Sequence, residues 1–430
     1  MTIESRVLRA PTRLSHWHDR FQRWRQSALL AADLLAVMVA ASLPWSTSAT
    51  SILVVLWVIV VAPIIDWETF LRDLAHPSHA LPVLFVALAI LGILWADGPW
   101  AARLHGIKPV AKLLMIPLFI YHFQRTQRAS WVFIAFLASC TLLMTLSWIV
   151  LFVPSLKPAR TLTAGVPVKN YIDQSQEFAL CAFALALPAL IALRRENWKL
   201  TAGYFALMLT FIANMLLVAL ARTALIYMAA LLVLFAWRYL SRRSMLTLLA
   251  GAIVAASLVW ASSPYLRQRI ADIGVEYQAQ DISGIASTAQ RLTYWRKSMK
   301  FFAEAPLLGH GTGSIKAQFE RDAIGRTGLD AEIVNNPHNQ TLAVAVQWGA
   351  VGVILLYAIW LSHLLLFTRR TLAAWIGLVV VVQNVVSSLL NSHLFDFHEG
   401  WLYVVGVGVA GGTSLRGAVR RRGPLEAARS

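Results

Sequence analysis

Apolar residues run through this chain in long stretches, and polar residues are confined mostly to the short gaps between them. A membrane-crossing helix needs about 20 mostly apolar residues. Twelve stretches approach or exceed that length, at roughly 28–43, 49–65, 80–96, 108–122, 130–153, 177–193, 200–219, 223–239, 245–261, 341–366, 372–390 and 400–415. The pattern predicts an all-α polytopic membrane protein with about 12 transmembrane helices. The first stretch is short, and Ser46, Ser48 and Ala49 behind it resemble a leader cleavage site. About 27 residues precede it, too many for the usual basic lead-in. It is therefore read as a retained span.

One long interval breaks the pattern. The chain divides into residues 1–261 (N-terminal segment and helices 1–9), a large loop at 262–340, and residues 341–430 (helices 10–12 and a basic tail). Loops of that length inside a compact chain are usually functional. Within it, residues 287–304 place Leu292, Trp295, Met299 and Phe302 at three- and four-residue steps, flanked by Arg296, Lys297 and Lys300. That spacing predicts an amphipathic helix lying on or near the membrane surface. Pro306 and the Gly-rich stretch after it end the helix.

Charge gives the arrangement a direction. Only 14% of residues are charged, so the formal net charge of +17 rests on few positions. Alternate connections hold arginines: the N-terminal segment, Arg125 and Arg128, Arg194 and Arg195, Arg242 and Arg243, Arg369 and Arg370, and the tail. The short connections near 44–48 and 391–399 hold no Lys or Arg. The positive-inside rule then puts both termini in the cytoplasm, and the 154–176 and 262–340 segments outside. Charge distributed in this way argues against nucleic acid as a partner. Cys140 and Cys181 both sit in apolar stretches, which suits neither a disulfide nor a zinc site.

The candidate chemistry falls on that outer side. Arg222 is the single charge in MLLVALARTALIYMAALLVLF, and such charges are costly and often functional. An interfacial snorkelling arginine is the alternative. His338, in NNPHNQTLAVAVQWGAVG, stands at the mouth of the tenth span, with Asn335 or Asn336 expected as the cap. There it is either a neutral imidazole able to accept a proton or a plain interfacial residue. Arg291 is a third candidate, and Arg160, Arg267 and Arg269 are weaker ones, since guanidinium groups fork onto phosphate oxygens. His310 lies in a Gly-rich turn whose amides could contact an anion, although no Walker ending is present. His393, Asp396, His398 and Glu399 form a polar group whose spacing fits no standard metal site. Neither a Gly-x-Ser-x-Gly elbow nor a His-Glu-x-x-His pair occurs.

Three stretches, LVALARTALIYMA, QRLTYWRKSMKFFAEAPLLGHGTGSIKAQF and NPHNQTLAVAVQWGAVGVI, follow one another in order. Together they resemble the O-antigen ligase/polymerase superfamily of bacterial envelope glycosyltransferases. The carrying residues are Ala221-Arg222-Thr223, Arg291 with Trp295, Pro306 to Gly313, His338-Asn339, and Gly349 with Gly352. The resemblance covers about 200–355. It implies a GT-C-like architecture in the bacterial inner membrane, with the active site facing the periplasm. It also implies metal-independent, cofactor-free transfer of O-antigen from undecaprenyl diphosphate to the lipid A–core oligosaccharide. His338 would then be the general base. Arg222 and Arg291, with Arg160 and Arg267, would bind the diphosphate, and Asn339, Arg296 and His310 would support the site. O-antigen polymerases and O-linked protein oligosaccharyltransferases share the donor and remain alternatives. A lipid-linked glycan flippase is an alternative of another class.

Overall fold

A computed structural model describes residues 13–159, 161, 163–218, 221–262, 267 and 287–426. The described residues are helical, with no strand among them. In chain order the α-helices are α1 (Arg13–Ser42), α2 (Thr47–Val61), α3 (Trp67–Asp73), α4 (Pro77–Leu91), α5 (Trp100–His105), α6 (Lys108–Ala111), α7 (Met115–Arg125), α8 (Ala129–Phe152) and α9 (Tyr171–Arg194). They continue with α10 (Trp198–Leu217), α11 (Arg222–Tyr239), α12 (Arg242–Ser262), α13 (Ser287–Glu304), α14 (Ile315–Ala323), α15 (Gln340–Leu366), α16 (Leu372–Ser388) and α17 (Phe397–Glu426).

Each of the twelve apolar stretches falls on helix. Length and composition among the described residues qualify eight helices as membrane spans. A ninth arises if α3 and α4, bent by 91° against each other, form one broken span. α16 falls short at 17 residues, and α17 opens with Glu399 in its first turn. The stretch at 108–122 is α6, a 3-10 turn and α7 in succession, and lies within the qualifying span Trp100–Arg125. With eight or nine qualifying spans for twelve apolar stretches, apolar content runs ahead of span geometry.

Specific bonds set the helix directions. Arg194, in the last turn of α9, donates to the Tyr239 carbonyl at the end of α11 (2.8 Å). Arg238 donates to the carbonyls of Phe367, Thr368 and Arg369, just before α16. Further along, Trp375 donates to the Phe183 carbonyl and Gln383 to the Gln176 carbonyl, both at 2.7 Å. Thus α9 and α11 run parallel to each other and antiparallel to α16. The N-termini of α9 and α11 share one end of the bundle with the C-terminus of α16.

That end also collects the start of α15, because the Asn339 amide donates to the Leu389 carbonyl (2.9 Å). The opposite end is rich in arginine. There Asp33, buried in α1, is held by His122 (2.8 Å), Thr126 (2.8 Å) and Arg128 (3.1 Å).

α15 is not one helix. Trp348 (φ −131°, ψ 15°) and Gly349 (φ 58°, ψ −155°) break it. A break frees backbone groups, and in a membrane these must be met by protein. The segment 306–311 meets them. His310 and Gly311 donate to the carbonyls of Val346 and Gln347 at 2.8 Å, while Ala350 and Val351 donate to those of Pro306 and Leu307. Only glycine suits position 349: its φ is left-handed, and a Cβ there would lie 2.7 Å from the Leu308 nitrogen and closer still to the Leu307 carbonyl.

Candidate active site

His338 sits immediately before α15, which Asn339 caps by accepting from the Leu342 amide (3.0 Å). The cap is Asn339, not Asn335 or Asn336. Asn336 instead holds the loop: its Oδ1 accepts from the His338 amide (2.9 Å) and from Ser392 Oγ (2.7 Å). His338 has φ 54°, a left-handed value rare for a residue with a side chain. Such a backbone costs on the order of 1–3 kcal/mol and persists only where neighbours impose it. Here the imposing groups are Asn336 and the capped helix on either side.

The imidazole is fixed as well. His338 Nδ1 lies 2.8 Å from Asn391 Oδ1. An amide oxygen only accepts, so Nδ1 carries the proton and donates. Nε2 is left with its lone pair and has no hydrogen-bond partner among the described residues. That is the tautomer a proton acceptor needs. Asn391 sits in a tight connection anchored by Gln340, whose Oε1 accepts from the amides of Leu394 (3.0 Å) and Phe395 (3.3 Å).

α13 forms the second wall. Tyr294 lies against His338, with ring centroids 6.4 Å apart. Its hydroxyl donates to Glu332, which Gln290 also holds at 3.0 Å. Burial, and then the Glu332 bond, raise the Tyr294 pKa. The phenol stays protonated and is not a competing base. Arg291 is half-buried one helical turn before Tyr294, on the same face. Arg222 is the first residue of α11, also half-buried, at the same end of the bundle. The structure thus brings His338, Arg291 and Arg222 to one end.

The other basic residues divide differently. Arg160 and Arg269 lie outside the described residues. Arg267 donates to the carbonyls of Trp260 (2.9 Å) and Ala261 (2.5 Å), where it closes the end of α12. Arg296 pairs with Asp330 on the surface (2.6 Å). Lys297 is buried against Asp322 (3.2 Å), which Lys300 (2.8 Å) and Arg326 (2.9 Å) also reach. Burial opposes ionisation of Asp322, but the Lys300 and Lys297 ammonium groups outweigh it and lower its pKa. Lys297, Lys300 and Arg326 thus converge on Asp322 and tie α13 to α14.

The face of α13 that packs is Tyr294, Lys297, Ser298 and Phe301. Leu292 (44% exposed) and Met299 (57%) lie on the outer side, which leaves them available to a membrane surface.

The Gly-rich turn is a clasp, not an anion cradle. Every backbone N–H from Gly309 to Ser314 is taken within the protein: by the carbonyls of Ala305, Val346, Gln347, Gly92 and Gly311, and by Gln347 Oε1. His310 Nε2 donates to the Phe301 carbonyl (2.8 Å), tying α13 to the turn.

Hydropathy also passed over a buried ionic group beside the site. Glu177, near the start of α9, lies 2.5 Å from His398 Nε2. Lys169 donates to His398 Nδ1 (2.6 Å) and to the Leu43 carbonyl. Burial lowers the Lys169 pKa, against the pull of Glu177. An acid inside an apolar stretch was the available signal for Glu177.

Fold and site define a polytopic helical membrane protein with a fixed imidazole and two arginines at one end of the bundle. A family model described as O-antigen ligase matches residues 205–357, which include Arg222, Arg291 and His338. Over that segment the chain is similar to the O-antigen ligase family. No curated protein matches the chain.

Proposed function

We propose that the chain is an inverting, metal-independent glycosyltransferase. It moves O-antigen polysaccharide from undecaprenyl diphosphate to the lipid A–core oligosaccharide, at the periplasmic face of the inner membrane. One observation carries this reading. Asn391 fixes His338 in the tautomer whose Nε2 accepts a proton, at the end of the bundle that also holds Arg222 and within the family-matched segment.

The chemistry follows from those groups. A sugar hydroxyl is a weak acid, and Nε2 takes its proton as the oxygen attacks the anomeric carbon. Such assistance is typically worth about 10²–10⁴-fold. The bond from that carbon to the diphosphate oxygen breaks, and undecaprenyl diphosphate leaves with the bonding electrons. Arg222 and Arg291 stabilise the charge that develops there, with Arg160 as a further ligand. Attack opposite the leaving group inverts the anomeric centre. The imidazolium then releases its proton to water. The arginine-rich opposite end supports a cytoplasmic placement of that end, and twelve spans would return the C-terminus to it.

Reconstitution tests the reading. The purified chain is supplied with lipid-linked O-antigen and lipid A–core in vesicles, with EDTA and no added divalent ion. The proposal expects core lipid bearing polysaccharide. Elongated donor with untouched core lipid would make the chain a polymerase. A strict requirement for an added divalent ion would overturn the metal-independent step.

A further inference from the structure

The connection between α16 and α17 carries a second set of donor groups that the transfer does not use. His393 Nδ1 lies 3.2 Å from Asp396 Oδ2 and 3.5 Å from Glu399 Oε1. One donor atom from each of the three lies within 4.8 Å of the others. His393 is 1% exposed; its Nδ1 faces only the two carboxylates without a well-formed hydrogen bond to either, and its Nε2 has no hydrogen-bond partner among the described residues. Buried polar groups in native proteins are nearly always satisfied, so an imidazole left this way calls for a ligand. The nearby Lys112 ammonium donates to the carbonyls of Phe395 and Asp396.

We propose that His393, Asp396 and Glu399 bind one divalent cation of borderline softness, Zn²⁺ or Mn²⁺. The donor set decides the class. One imidazole and two carboxylates suit those ions, whereas Ca²⁺ and Mg²⁺ take oxygen donors. Two negative carboxylates balance the ion's charge. Asp396 is 34% exposed, which gives the ion and its remaining water ligands a way in.

The bound ion has a consequence for the base. Two residues before His393, Asn391 holds His338; one residue before it, Ser392 holds Asn336. Pinning 393–399 therefore braces the segment that orients the proton acceptor. The ion acts on position, not on the leaving diphosphate, so transfer in EDTA persists at a reduced rate. The site stands whether or not the assigned reaction is correct.

The test reads metal directly. Full-length protein in lipid nanodiscs is washed with EDTA, then titrated calorimetrically with Zn²⁺ and, separately, Mn²⁺, with metal content counted by mass spectrometry. The proposal expects one ion per chain for at least one of the two. It also expects at least roughly tenfold weaker binding in Asp396→Asn and in His393→Gln, and a melting temperature raised by the ion only in the wild type. Because Asp396 is partly exposed, its substitution leaves the packing in place if His393→Gln does not fold. No saturable binding of either ion by folded wild type would overturn the proposal. So would stoichiometric binding undiminished in Asp396→Asn.

Discussion

Asn391→Ala removes the acceptor that fixes His338. In the resting protein this is an ordinary hydrogen bond of 2.8 Å, with a net worth of about 0.5–1.5 kcal/mol. During transfer the imidazole gains a proton, and the same bond becomes charge-assisted, worth about 1.5–3 kcal/mol. The gain exists only as the proton moves, so it belongs to the barrier rather than to substrate binding. Losing about 1–2 kcal/mol of differential stabilisation slows turnover roughly 5- to 30-fold. Release of the ring to its other tautomer adds to the loss. The assay is steady-state transfer with varied donor. It expects kcat to fall at least roughly 5-fold with little change in KM, and Asn391→Asp, which keeps an oxygen acceptor, to recover most of the rate. Wild-type kcat in Asn391→Ala, or Asn391→Asp as slow as Asn391→Ala, would refute the reasoning.

Further outcomes follow from the same geometry. Gly349→Ala places a Cβ against the Leu307 and Leu308 backbone at φ 58°; it is expected to cost at least about 1–3 kcal/mol in strain alone, read as a lower melting temperature. Asp322→Asn leaves Lys297, 3% exposed, without its carboxylate; breaking such a pair costs about 3–5 kcal/mol, measured by thermal unfolding. Because the folded pKa of Asp322 is lowered from 3.8, its stabilising contribution is complete above about pH 4. That contribution is lost as pH falls through the lowered value, and acid unfolding of Asp322→Asn should lack this component. Arg296→Ala breaks a surface pair whose side chains are 67% and 42% exposed; it is expected to change stability by less than about 1 kcal/mol and to leave transfer unchanged.

Much of this was legible in the sequence. Apolar stretches located the helices, because lipid-facing and core-facing positions alike exclude charge. Spacing predicts the helix at 287–304, and α13 spans Ser287–Glu304. The face it packs differs from the apolar stripe, since Lys297 is buried by Asp322, which lies on α14 and not on its own helix. The cap of α15 falls later than expected, because Asn336 satisfies the His338 amide instead of a helix amide. Span number did not follow from hydropathy: α4 is shortened by a sharp bend and α16 by its turn. The candidate site was visible as residue types, His338 with Arg222 and Arg291. Its organisation was not, because Asn391 lies 53 residues from His338, and no local pattern links them. The Gly-rich turn is legible as a tight turn, yet its purpose, closing the break in α15, depends on both segments at once.

In the proposed transfer His338 accepts the acceptor-sugar proton. Single-turnover transfer by His338→Ala in the reconstituted system tests it most directly, with donor binding measured alongside. The expected rate is roughly 10²–10⁴-fold lower, with donor binding retained. Transfer at the wild-type rate would contradict it.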